Sequence, residues 1–195
     1  LDSGRWLKFR NLGEIGDPGY LSRLEPHPEK PVFFASVFSR RFLTLDERSF
    51  NTIRVAKVGV PTEGLAYDEW RNRIYAAAPL TREVLVLDGD NVRVLARIDT
   101  GAVVRDLVID EGRRIAVATA WAEGRLIFID LDANRVVARL KVGRPALDLN
   151  FDGRSGRLFA TSSCGLFEIL VDDLLESRGL VKRSRAMNSV AAPTS

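Results

Sequence analysis

Two residue types on which much enzyme chemistry depends are almost absent from this sequence. One cysteine, Cys164, and one histidine, His27, stand among 195 residues. A lone cysteine excludes an intramolecular disulfide, and a lone histidine excludes a histidine-rich metal site. His27 lies in Glu25-Pro26-His27-Pro28, fixed by prolines in a connection with no evident partner, so a Ser-His-Asp arrangement has no support. Cys164 sits beside Ser162 and Ser163 without an assignable base. No apolar run approaches the roughly 20 residues that cross a bilayer as a helix, and Leu1 to Arg10 lack the charged-then-apolar order of a signal peptide. Neither charge sign dominates: 29 Lys plus Arg face 26 Asp plus Glu, a formal net charge of +3. Arg178, Lys182, Arg183 and Arg185 cluster near the end, but Gly, Leu and Val interrupt them, leaving no clear nucleic-acid site. Trp6, Trp70 and Trp121 share no repeat position, so no aromatic row is available to stack bases or cage a quaternary amine.

What the sequence does contain is a period. Asp46, Asp88, Asp130 and Asp172 recur every 42 residues, as do Gly59, Gly101 and Gly143, and Asp68, Asp110 and Asp152. A repeat of about 40–45 residues built from short strands is the spacing of one blade of a β-propeller. Within one period four β-rich runs follow each other: Leu65 to Asp68, Arg73 to Ala77, Glu83 to Asp88 and Val92 to Ile98. They are rich in branched and aromatic residues and are separated by turn formers, which favours strand over helix. Continuous apolar runs such as Leu126 to Ile129 imply strands covered on both faces, as when a blade packs between two neighbours.

The combs have turn readings. An aspartate ending the first or third strand accepts backbone N–H groups ahead of it and closes a tight turn. The glycines follow the fourth strand, where the chain turns to the next blade and positive φ is wanted.

Lys57-Val58-Gly59-Val60-Pro61 and Lys141-Val142-Gly143-Arg144-Pro145, with the looser Phe159-Ala160-Thr161-Ser162, resemble the YVTN-type β-propeller repeat; the NHL-type repeat is the near alternative. The resemblance covers about Pro18 to Asp172. It implies a propeller and is compatible with a periplasmic or cell-surface location. It carries over no functional residue and no cofactor. No Gly-His and Trp-Asp pair of the WD40 kind recurs at the period.

The expected architecture is therefore all-β: a partial β-propeller of about four four-stranded antiparallel blades with a 42-residue repeat. Repeats occupy residues 1–172, with an opening strand at 5–14 and blades at about 18–59, 60–101, 102–143 and 144–184; residues 185–195 form a mobile tail. Typical propellers have four to eight blades. The opening strand could pair with the last three strands and close a four-blade ring. Alternatively, Arg178 to Lys182 supplies a local fourth strand and further blades of the same polypeptide complete the ring; this is the reading adopted.

Residues that repeat build blades, so function is sought where repeats disagree. At the turn leading into the first strand, one register position reads Glu63, Arg105 and Leu147, and the next reads Gly64, Asp106 and Asp148. Such loops gather at one end of a propeller, where a central funnel binds ligands. Glu63, Arg105, Asp106 and Asp148 are the candidate binding residues, against the plainer alternative of solvated loop charges in local ion pairs. Asp106 and Asp148 could act as hard oxygen ligands, but two carboxylates do not define a metal site. The expected role is a non-catalytic scaffold that binds a protein, glycan or small ligand on its loop face, with no cofactor and no metal. The alternative is part of a propeller enzyme such as a metal-dependent lactonase or lyase.

Overall fold

The computed structural model describes residues 20–177 and residue 179. It shows an all-β chain folded as a partial β-propeller. Three four-stranded antiparallel sheets come first: β1 to β4 (Leu21–Pro26, Val32–Val37, Arg41–Asp46, Thr52–Lys57), β5 to β8 (Leu65–Asp68, Arg73–Ala78, Glu83–Asp88, Val94–Asp99) and β9 to β12 (Val104–Asp110, Ile115–Ala120, Arg125–Asp130, Arg135–Lys141). The fourth sheet has three strands, β13 to β15 (Ala146–Asp152, Arg157–Ser162, Gly165–Leu170), followed by helix α1 (Val171–Ser177). The proposed opening strand, most of the segment 178–182 and the tail lie outside the described residues. Among the described residues no helix is long and apolar enough to cross a membrane.

Each inner sheet is buried on both faces, which explains the unbroken apolar runs. In β11, Ile127 and Ile129 join a cluster with Tyr75, Val84 and Val86 of the preceding sheet, while Leu126 and Phe128 join one with Leu149 and Leu158 of the following sheet. In β7, Val84 and Val86 face forward, whereas Leu85 and Leu87 pack back against Phe34 and Phe42 of the first sheet. Full burial of such side chains contributes about 1.5–3 kcal/mol each.

The aspartate combs do the expected turn work at most positions. Asp46, Asp88 and Asp130 end β3, β7 and β11, and each offers Oδ1 to a backbone N–H three residues ahead, at 2.6, 3.0 and 2.9 Å. Gly59, Gly101 and Gly143 have φ of 85°, 62° and 101°.

Two expectations fail. Asp172 does not close a turn after the third strand: it lies in the first turn of α1, whose Val171 and Leu175 are buried in the last core cluster. Apolar residues at 171, 174 and 175 give the chain a helical face there, and Asp172 and Asp173 suit the positive end of the helix. Val92 is not a strand residue either. It is a buried turn residue with φ 59°, matching Phe50 at 55° and Asn134 at 50°. A left-handed turn position thus recurs every 42 residues, hidden because three different side chains occupy it.

Candidate functional site at the channel mouth

The first strands β1, β5, β9 and β13 neighbour one another in sequence order and line a central channel. Their register defines equivalent positions. Leu24, Leu65, Leu107 and Leu149 pair with Ala35, Ala76, Ala118 and Ala160, so the blades superpose at intervals of 41, 42 and 42 residues. The β2–β3 turn is one residue shorter than the β6–β7 and β10–β11 turns, which shifts the first two strands of the first blade by one. Two rungs lie at the top of the channel: Ser22, Glu63, Arg105 and Leu147, then Arg23, Gly64, Asp106 and Asp148. Arg105 and Asp106 lie within β9 and Leu147 and Asp148 within β13, not in the turns before those strands as expected, because the first strands start earlier in these blades.

All of these residues except Asp148 line one cavity of about 290 Å³, rimmed by Tyr20 and Trp121. Glu63, Arg105 and Asp106 are thus brought together, and Asp148, an exposed residue of the same rung, stands beside Asp106, whose Oδ2 accepts the N–H of the following residue, Leu149. Reading the sequence at a fixed period of 42 missed Arg23, because the shortened turn puts Leu65 rather than Gly64 at that interval. Tyr20 and Trp121 were missed because neither belongs to a comb.

Gly64 lets two strands meet. Its N–H donates to the Arg105 carbonyl at 2.7 Å, and a Cβ there would lie 2.5 Å from that oxygen and 2.6 Å from the Asp106 Cα. Behind the second rung, Thr119 and Thr161 accept the N–H groups of Asp106 and Asp148 at 3.1 and 3.2 Å.

The charges fall into two groups. Arg105 Nε donates to the buried Glu63 carboxylate at 2.5 Å, its guanidinium lies 5.6 Å from the Trp121 ring centroid, and the Tyr20 hydroxyl donates to Glu63 at 3.3 Å. That pair neutralises itself. Asp106, also buried, accepts the Leu149 N–H at 3.3 Å and meets Arg23 only at 3.7 Å, too long for a hydrogen bond. Burial, and then the neighbouring Asp148 carboxyl, push Asp106 up to about 6, against the opposing pull of Arg23. Below Arg23 the channel widens into a second cavity of about 360 Å³. There Glu25 is also raised, chiefly by burial. Arg23 is shared between carboxylates above and below it. Among the described residues no group of three or more His, Cys, Asp or Glu side chains could hold a metal ion.

His27 lies at the opposite end of the channel, at the position of the first-strand aspartate. Its Nδ1 accepts the N–H groups of Glu29 and Lys30 at 3.1 Å each, replacing the carboxylate, and Nε2 lies 3.3 Å from the Tyr67 hydroxyl. Burial, aided by Lys30, lowers its pKa. Cys164 is an exposed residue of the β14–β15 turn.

No protein-family model and no curated protein matches the chain. Among solved structures, a chain of Kuenenia stuttgartiensis hydrazine synthase is similar at 15% identity and a TM-score of 0.69, over 77% of this chain and 46% of that one. A chain of a nidogen/laminin complex is similar at 20% identity and a TM-score of 0.63, over 76% of this chain and 60% of that one. At these identities the likeness is one of fold. The chain spans roughly half the length of these two structures.

Proposed function

We propose that this partial propeller is a non-catalytic binding domain that engages a protein partner at the channel mouth, with Glu63, Arg105, Asp106 and Asp148 as its polar floor. The observation that carries this reading is the composition of the mouth. Tyr20, Trp121 and Leu147 are 55%, 39% and 46% exposed around that charged floor. Apolar anchors beside oriented polar groups are what an interface centre requires. The likeness to YVTN-type repeats, and the proposal that further blades of the same polypeptide continue the array, fit a scaffold. Glycan or small-ligand binding uses the same surface and is the second occupant to test. The enzyme alternative has one feature in its favour, the buried Asp106 carboxyl raised to about 6.

The test is a comparison of variants. Material retained from extract by the wild-type chain should be lost with Arg105→Glu/Trp121→Ala and kept with Trp70→Ala, which alters the opposite end, all three being checked for folding by thermal denaturation. Retention unchanged by the mouth variant would overturn the reading.

A further inference from the structure

Among the described residues, the mouth holds more negative than positive charge. With Arg105 occupied by Glu63, Arg23 is, among the described residues, the one cation left beside the Asp106 carboxyl, and it also faces Glu25 below. The groups facing Asp106 among the described residues are Arg23 and Glu25 from β1, Glu63 and Arg105 from the adjoining rung, and Asp148 from β13. The remaining surface is not acidic: Trp121 and Leu147 stand exposed at the rim of the same cavity. An ionic shortfall of positive charge beside an apolar wall is complementary to a cation carried on an aliphatic stem.

We propose that the mouth receives an alkyl cation, an ammonium or guanidinium group, with its charge at the Asp106–Asp148 carboxyl pair and its stem along Trp121 and Leu147. The inference rests on the mouth being the binding face and names what that face recognises. A lysine or arginine side chain of a partner protein and a free amine share this chemistry. Asp106, raised to about 6, loses its negative charge when protonated, so cation binding and protonation of Asp106 compete.

The probes are n-butylammonium, butylguanidinium and, as the control of opposite charge, butyrate, followed by the indole N–H resonance of Trp121. Both cations should shift it saturably and butyrate should not. Affinity should fall as pH is lowered through about 6, approaching about tenfold per pH unit. Asp106→Asn, which keeps an acceptor for the Leu149 N–H, and the exposed Asp148→Asn should each weaken binding at least tenfold and flatten the pH dependence. A short blocked peptide with one lysine is then compared with putrescine. Tighter binding of the peptide assigns the cation to a partner protein, and tighter binding of putrescine assigns it to a free amine; either supports the proposal. Equal binding of butyrate, no saturable shift in the millimolar range, or affinity unchanged in both variants overturns it. If the probes fail while Arg105→Glu/Trp121→Ala still loses the retained partner, the cation falls and the binding face stands.

Discussion

The two ends of the channel handle charge in opposite ways. At the end bearing the turns after the first and third strands, cations reach across to the next blade: Lys30 to Asp90 at 2.6 Å, Arg71 to Asp132 at 3.0 Å and Arg113 to Asp172 at 2.5 Å. Arg114 goes further, gripping the fully buried Asp68 through two bonds of 2.7 Å, contacting Asp132 at 3.2 Å and lying 4.6 Å from the Trp70 ring centroid. Among the described residues at the mouth, Arg105–Glu63 is the one closed pair, while Asp106 meets Arg23 only at 3.7 Å and stands beside Asp148. Charges that hold blades together are saturated; those left in conflict are available to something else.

That contrast predicts effects of opposite sign. Arg114→Met, measured by denaturant unfolding, should destabilise the chain by about 3–5 kcal/mol, because it strands a buried carboxylate. Gly64→Ala should cost about 1–3 kcal/mol by forcing a methyl group into the β9 backbone, and no conservative choice at that site should rescue it. Asp106→Asn should instead stabilise the chain at pH 7.5 by about 1 kcal/mol, since each unit of raised pKa corresponds to roughly 1.4 kcal/mol.

The pH profiles sharpen the same comparison. Asp106 is protonated more readily folded than unfolded, so its contribution improves as pH falls from about 6 towards 4. His27 runs the other way: its neutral form is held in the fold, and stability present above its ordinary range near 6.5 is lost as pH falls through its lowered value. In Asp106→Asn the acid-side decline should therefore begin earlier and run steeper than in the wild type; an unchanged profile would remove Asp106 from the account. The smallest effect expected is at Arg82, an exposed residue with φ 59° where the next repeat has Gly124 at 65°. Arg82→Gly should stabilise by about 0.5–1 kcal/mol, read as a rise in Tm.

Much of the fold was legible because turn chemistry repeats residue identity. The aspartates and glycines of the combs are chosen by backbone geometry and so appear as letters at a fixed interval. Where the geometry repeats but the letter does not, the sequence is silent: Phe50, Val92 and Asn134 share a left-handed conformation but no side-chain type. His27 performs an aspartate's task with a ring nitrogen. The candidate site was half legible for a related reason. Glu63, Arg105, Asp106 and Asp148 were found by disagreement between repeats, whereas Arg23 was masked by a single missing turn residue that leaves its spatial equivalence intact. Helix α1 was overlooked because Asp172 kept the interval of the comb after the strand pattern had ended, although apolar residues 171, 174 and 175 already carried a helical period.

The sharing of apolar clusters between adjacent sheets has a mechanical consequence. Among the described residues four sheets share three joints, and each joint draws its side chains from two sheets at once. Strength therefore resides in the joints, as in masonry, and removing one inner sheet would open two of them together. Cohesion of this kind passes from neighbour to neighbour. A cavity cut at Phe128 should loosen the third joint first and reach the second only through the sheet they share, so hydrogen exchange in such a variant should spread along the array in steps one blade wide.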